Sequence, residues 1–292
     1  MPRLLVHFHL YYEDQLPFFL DRMGNINGCK WDLYVTYSKI TYEARDLILS
    51  TFPEAHLMEV ENVGFDIWPF VKLLQSVDIG RYDYVLKLHT KCNSAKKTKW
   101  RGIRIDGSVW RDRLVDALLE NRTVFSRLLE RLHKDVRAGL FCHRMFLIPA
   151  DSPFPEDNEA LAEEMSNLCI SVTDTRFCAG TIFLARMAPF SLIKDAGLTV
   201  ERFSSPSVSH GSGTLAHVYE RIFSYAVKTA GYRLIPVYTY TPHYWERIQM
   251  WFHFNLTSFV EGIFSLTRSG PKQVKYLTLF WIRIPLDKGL KK

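Results

Sequence analysis

The sequence predicts an α/β fold in which a mostly parallel sheet is flanked by helices, and two observations carry that prediction. Through the first ninety residues, short runs rich in β-branched and aromatic residues alternate with longer segments of helical periodicity. The run Tyr82-Asp83-Tyr84-Val85-Leu86-Lys87-Leu88-His89-Thr90-Lys91 then reads as a buried strand that ends in ionisable residues. Charge is expensive near a core, so a cluster at a strand end points to a ligand, and open α/β sheets hold ligands beyond the carboxyl ends of their strands.

Taken in order, residues 3–9 and 32–37 read as strands, with Gln15–Met23 and Tyr42–Ser50 as the helices that follow them. Segments 56–60 and 83–88 add two strands, with a short apolar helix ending at Leu74 between them. Ser108 can cap one long amphipathic helix, Val109–Leu132, whose Leu114, Leu118, Leu119, Phe125, Leu128 and Leu129 share a face. Short strands near Gly139 and Phe146 come next, then a Pro- and acid-rich loop at Pro149–Glu156 and a helix at Glu159–Leu168. Thr181–Ala185 reads as a strand and Ser204–Ser212 as a loop of small residues. A helix over Thr214–Thr229 is closed by Gly231.

The character changes after Tyr240, which divides the chain into a core over residues 1–240 and an extension over residues 241–292. Trp245–Phe264 reads as an aromatic-rich helix and Lys275–Ile284 as an apolar segment punctuated by base, leading to Lys288, Lys291 and Lys292. Such a segment can dock on an anionic membrane surface or fold back on the core as helix and edge strand.

Composition narrows the function classes. With 292 residues and 47% apolar content, the chain can bury a sizeable core. A net charge of +6 suits a polyanionic partner. Nucleic acid is not expected, because the basic residues are dispersed rather than gathered with aromatics on one face. The five cysteines are scattered without a C-x-x-C pair, which argues against a zinc site or a disulfide framework and for a reducing compartment. No run approaches a membrane span, and Leu4–His9 is too short and polar for a signal peptide, so a cytoplasmic protein is expected.

Five blocks, in order, resemble the rhamnan synthesis protein F family. They are Glu61-Asn62-x-Gly64-x-Asp66-Ile67-x-Pro69-Phe70; Tyr82 to Lys91; Trp100-Arg101; Phe177-x-Ala179-Gly180-Thr181-x-Phe183-x-Ala185-Arg186; and Gly213-Thr214-Leu215-Ala216-His217-x-x-Glu220-Arg221. The chain departs from the family pattern at Phe65, at Cys92-Asn93 and at Ser212. The resemblance implies a glycosyltransferase of bacterial surface polysaccharide. It would move a deoxyhexose such as L-rhamnose, or another hexose, from a nucleotide diphosphate to a lipid-linked glycan of O-antigen or rhamnan type. The alternative is a non-catalytic glycan- or nucleotide-sugar-binding assembly protein.

The element order also resembles a GT-A nucleotide-sugar transferase, in which an Asn-x-Gly loop leads to a strand ending in D-x-D. This sequence contains no D-x-D, and Lys87, His89 and Lys91 stand in its place. The analogy therefore implies that no divalent metal is needed, with the leaving diphosphate stabilised by Lys87, Lys91 and Arg101. It also places His7, His9, Asn62, Gly64, Asp66, His89, Thr90, Gly180 and Thr181 at the donor. The competing reading puts Lys87 and Lys91 on a solvated edge, with His89 satisfied by backbone.

An inverting transfer needs a carboxylate to accept the acceptor's proton, and Asp66 and Glu220 are the candidates, with His217 one turn before Glu220. Each has a plainer reading, Asp66 as a helix N-cap and Glu220 in a surface pair with Arg221. His7 and His9 share one face of the first strand, where a satisfied core histidine is the alternative. Trp68 and Trp100 default to packing.

Overall fold

Alternation along the first strand, β1 (Arg3–Leu10), sets the layering of the molecule. Its even-numbered Phe8 stacks on Phe19 of helix α1 (Leu16–Met23) at 4.8 Å, and its odd-numbered His7 stacks on Phe70 of helix α3 (Ile67–Ser76) at 5.3 Å. Side chains two apart point the same way on a strand, so these two helices cover opposite faces.

The computed structural model describes residues 1–92, 98–100, 103–150, 155–203, 214–238, 263–269 and 274–285. After β1 and α1 come β2 (Lys30–Tyr37), α2 (Tyr42–Thr51), β3 (His56–Glu59), α3 and β4 (Tyr84–His89). A small hairpin, β5 (Thr98–Trp100) and β6 (Ile103–Ile105), precedes α4 (Gly107–Leu119), α5 (Arg122–Lys134), β7 (Ala138–His143) and β8 (Leu147–Pro149). Then follow α6 (Pro155–Asn167), β9 (Arg176–Cys178), β10 (Phe183–Arg186), α7 (Ser191–Lys194), α8 (Val200–Phe203), α9 (Leu215–Thr229) and β11 (Arg233–Val237). An antiparallel sheet of β12 (Phe264–Ser269), β13 (Val274–Leu279) and β14 (Ile282–Pro285) closes the described chain.

The main sheet has the order β11-β7-β10-β4-β1-β2-β3, and its pairs are parallel except for β10, which is antiparallel to both neighbours. The fold is thus the mostly parallel, helix-flanked sheet expected from the sequence. The chain leaves β1 towards β2 and β3, then returns to β4 on the other side, which creates a switch point between β1 and β4. Crevices beyond the carboxyl ends of strands form at such points.

One expected element divides in two. The helix expected over Val109–Leu132 stops at Leu119, and a second begins at Arg122 because the Asn121 side chain accepts the Val124 N–H and caps it. The N-cap of the first helix is Asp106, which accepts from Val109 N at 2.9 Å, rather than Ser108. The expected strand at Thr181–Ala185 begins only at Phe183, since Gly180 and Thr181 have φ of +80° and +47° and form a turn.

Phe264 opens a strand rather than ending a helix, and the Lys275–Ile284 segment is a β-hairpin. Residues 245–262 of the expected helix, the Ser204–Ser212 loop and Lys288, Lys291 and Lys292 lie outside the described residues. Among the described residues no helix is long and apolar enough to cross a membrane.

Candidate active site

Beyond the carboxyl ends of β1 and β4 lies a cavity of about 790 Å³. Its walls come from the end of β1 and the turn after it (His9, Tyr11, Tyr12), the loop before α3 (Asn62 to Asp66) and the end of β4 (His89, Thr90, Lys91). The start of α4 adds Asp106 and Trp110, the turn before β10 adds Gly180 and Thr181, and α8 and α9 add Phe203, His217 and Glu220.

The floor is a buried charge cluster. Lys87, fully buried on β4, donates from Nζ to Asp66 Oδ2 at 2.5 Å, to Thr181 Oγ1 at 2.9 Å and to Thr181 O at 3.3 Å. All three ammonium protons are thereby used. Thr181 Oγ1 also donates to Asp66 Oδ2, and His89 Nε2 lies 3.7 Å from the same oxygen.

Burial opposes the charge on Asp66, but the His89 and Lys87 fields and the two donated hydrogen bonds outweigh it, so the carboxyl stays ionised far below its usual range. Burial likewise lowers the Lys87 ammonium, while Asp66 pulls it back up. Asp66 sits at the N-cap position of α3 without a side-chain capping bond, so its plainer reading as a cap does not hold.

The loop before α3 is shaped by Gly64. Its φ is +63°, and a Cβ there would meet Phe203 Cδ1 at 2.8 Å and Trp68 Cβ at 2.9 Å. The next residue, Phe65, also has a positive φ of 54°. Two glycine-like turns in succession carry Asn62 to the rim and aim Asp66 at β4.

Around the rim, Glu220 Oε1 accepts the Gly180 N–H at 2.6 Å, tying α9 to the turn before β10. His217 Nδ1 lies 2.7 Å from Thr214 Oγ1, and its ring meets Phe65 edge-on. Lys91 holds its ammonium 5.0 Å above the Trp110 ring, while its backbone is clamped by Gln15, which accepts from Lys91 N at 3.1 Å and donates to Lys91 O. Thr90 Oγ1 accepts the Tyr11 and Tyr12 N–H groups at 2.9 and 3.0 Å and fixes the turn after β1.

His9, Asn62, Gly64, Asp66, His89, Thr90, Lys91, Gly180, Thr181, His217 and Glu220 therefore line one cavity. Arg101 lies outside the described residues. His7 and Lys87 are placed differently from expectation: both are fully buried, and neither is on the wall. Lys87 cannot meet a diphosphate directly, since its protons are spent on Asp66 and Thr181; it acts through them. Among the described residues, Lys91 is the lysine or arginine on the wall. His89 is held by Gly180 O at 2.7 Å and Thr90 O at 3.0 Å, so its ring is fixed by backbone.

Gln15, Thr36, Asp106, Trp110 and Phe203 were not legible as site residues. Only Asp106 carried a local signal, as the acid opening a helix through Asp106-Gly107-Ser108. No group of three or more histidine, cysteine, aspartate or glutamate side chains suited to a metal ion occurs among the described residues.

A family model described as rhamnan synthesis protein F matches residues 1–232. The chain belongs to that family. Two relatives from strains of Xanthomonas campestris pv. campestris, both described as uncharacterized protein WxcX, are 29% identical over 238 residues, covering 81% of this chain and 33% of the relative. The chain thus spans about a third of the length of these relatives. Among solved structures, S. aureus TarS 1-349 aligns with a TM-score of 0.39 and 9% identity over 76% of this chain and 55% of that one. Its complex with UDP aligns with a TM-score of 0.41 and 10% identity over the same shares.

Proposed function

We propose that this member of the rhamnan synthesis protein F family is a GT-A-like glycosyltransferase that moves a hexose, such as L-rhamnose, from a nucleotide diphosphate to a growing surface glycan. The observation that carries the reading is the convergence of Asp66, Lys91, His217 and Glu220 on one cavity at the switch point of the sheet. Family membership supports the polysaccharide setting.

The roles follow from chemistry. A carboxylate held ionised as firmly as Asp66 is a poor proton acceptor, because a low pKa means a weak base. Asp66 Oδ2 is occupied by Lys87 and Thr181, so Oδ1 is left to accept a sugar or ribose hydroxyl, and Asp66 orients the donor. Glu220 then takes the proton of the acceptor hydroxyl, with Oε1 anchored on Gly180 N and the carboxylate facing the cavity. Lys91 meets the leaving diphosphate, and no divalent metal is required. The acceptor is a lipid-linked glycan, and the extension after residue 240 contacts the membrane that carries it.

A second reading, a binding module without turnover, is favoured by one observation: Lys87 is spent inside the protein, which leaves Lys91, among the described residues, as the lysine or arginine that can meet a departing diphosphate. A panel of nucleotide sugars scored by thermal shift and by nucleotide release separates the two. Transferase activity predicts both a shift and release for at least one donor; a shift without release supports the binding module; neither response from folded protein refutes both.

A further inference from the structure

Beneath the cavity, Thr36 of β2 holds two histidines of β1 through one hydroxyl. Its Oγ1 lies 2.8 Å from His7 Nε2 and 3.0 Å from His9 Nδ1. Thr36 and His7 are fully buried. His7 Nδ1 is sealed from solvent without a hydrogen-bond partner. His9, by contrast, lines the cavity, and with Nδ1 on Thr36 its Nε2 is the ring nitrogen turned away from the hydroxyl. Burial keeps both rings neutral at physiological pH.

Two neutral imidazoles and one hydroxyl share three protons, and counting them fixes the arrangement. If Thr36 donates to His7, the His7 proton must sit on Nδ1, where a buried N–H finds no acceptor. If both rings donate to Thr36, the buried hydroxyl proton has no acceptor. One arrangement leaves no donor stranded: His7 Nε2–H donates to Thr36, and Thr36 O–H donates to His9 Nδ1. Its sole unmet group is the lone pair on His7 Nδ1, and a buried acceptor without a partner is tolerated more readily than a buried donor. The remaining proton of His9 is then on Nε2, on the side of the ring away from Thr36.

We infer that His7 and Thr36 form a tautomer lock that makes His9 a fixed hydrogen-bond donor, through Nε2–H, to an acceptor oxygen of the nucleotide sugar. Thr36 and His7 are positioning residues, and His9 is the contact. The ligand half of the inference rests on the donor-binding reading above; the tautomer half stands on the protein alone. The oxygen can belong to the nucleobase or to the diphosphate, and both present the same chemistry to an N–H donor.

Two-dimensional 15N–1H correlation of the histidine rings in the free protein reads the tautomer directly. The expected result is the Nε2–H form for both His7 and His9, with His9 becoming a tautomer mixture in Thr36→Val. Nucleoside diphosphates and inorganic pyrophosphate are then titrated by calorimetry into the parent, His9→Gln and His9→Leu, each checked for an unchanged circular dichroism spectrum. His9→Gln keeps an N–H near the Nε2 position and should bind within a few-fold of the parent, whereas His9→Leu should lose about tenfold, as expected for one hydrogen bond. A loss shared by pyrophosphate assigns the diphosphate; a loss seen with the nucleoside diphosphates and not with pyrophosphate assigns the base. His9 in the Nδ1–H form overturns the lock, and equal affinity in His9→Leu overturns the contact. If no nucleotide or pyrophosphate binds the folded parent, the donor-binding reading falls and the ligand half with it, while the ring spectrum still decides the tautomer.

Discussion

At the scale of single residues, the Asp66–Lys87 pair holds the site together. Lys87 is fully buried and Asp66 half-buried on the cavity wall, and each is ionised because the other is beside it. Breaking a buried pair from one side strands a charge, which costs about 3–5 kcal/mol. Asp66→Asn should therefore lower the urea-unfolding free energy by about that amount and abolish transfer. Adding Lys87→Met should recover most of the stability without the transfer, because the hydroxyl-binding carboxylate stays absent. An unchanged unfolding midpoint in Asp66→Asn contradicts the pairing. From sequence, the alternation of Lys87 and His89 correctly put both on one strand face, but it could not report depth. Whether a lysine lies on a cavity wall or beneath it depends on residues far along the chain, here Asp66 and Thr181, and no local pattern encodes that distance. The same limit hid Thr36, whose role arises when β2 is laid beside β1, and Gln15, whose role arises when the segment before α1 meets the end of β4.

At the scale of elements, the loop into α3 depends on Gly64. An alanine there combines a left-handed backbone with contacts under 3.0 Å to Trp68 and Phe203. Gly64→Ala should lose roughly 1–2 kcal/mol from backbone strain alone, and more if Phe203 cannot move, with donor binding weakened because Asn62 and Asp66 shift. Thermal melts and calorimetry check both.

The histidines of β1 set an acid limit. Burial lowers His9 from 6.5 to about 4, so as pH falls the unfolded chain takes up its proton first. Its contribution is whole above pH 6.5 and declines as pH drops towards 4, by about 3 kcal/mol at that point, from 1.36 kcal/mol per pKa unit. His7 and His143, lowered by the same cause, act in the same direction. Asp66 adds a further loss only below the ordinary carboxylate range, as pH falls through its depressed folded value. Urea midpoints should therefore fall steadily from pH 7 to 4.5, and a flat profile contradicts the burial of these rings. Most strands and helices were legible from periodicity. The break after Leu119 was not, because Leu118, Phe125 and Leu128 continue the apolar pattern across it, although Asn121 marks a cap once it is sought.

At the scale of the whole molecule, the sheet order brings the β1, β4 and α3 ends together with α9, which joins residues more than a hundred positions apart into one cavity. Family membership, carried by motifs readable in the chain, supplies the biological setting. The proposal that no metal assists departure of the diphosphate has a direct check: nucleotide release should persist in excess chelator, and activity that vanishes and returns with manganese or magnesium contradicts it.

The most direct test of the central claim, sugar transfer in this cavity with Glu220 as base, is single-turnover transfer by the parent and Glu220→Gln with the donor identified from the panel. Glutamine keeps an oxygen for Gly180 N but cannot take the proton, so transfer should slow by roughly two to four orders of magnitude with donor affinity unchanged. Transfer by Glu220→Gln at the parent rate contradicts the account.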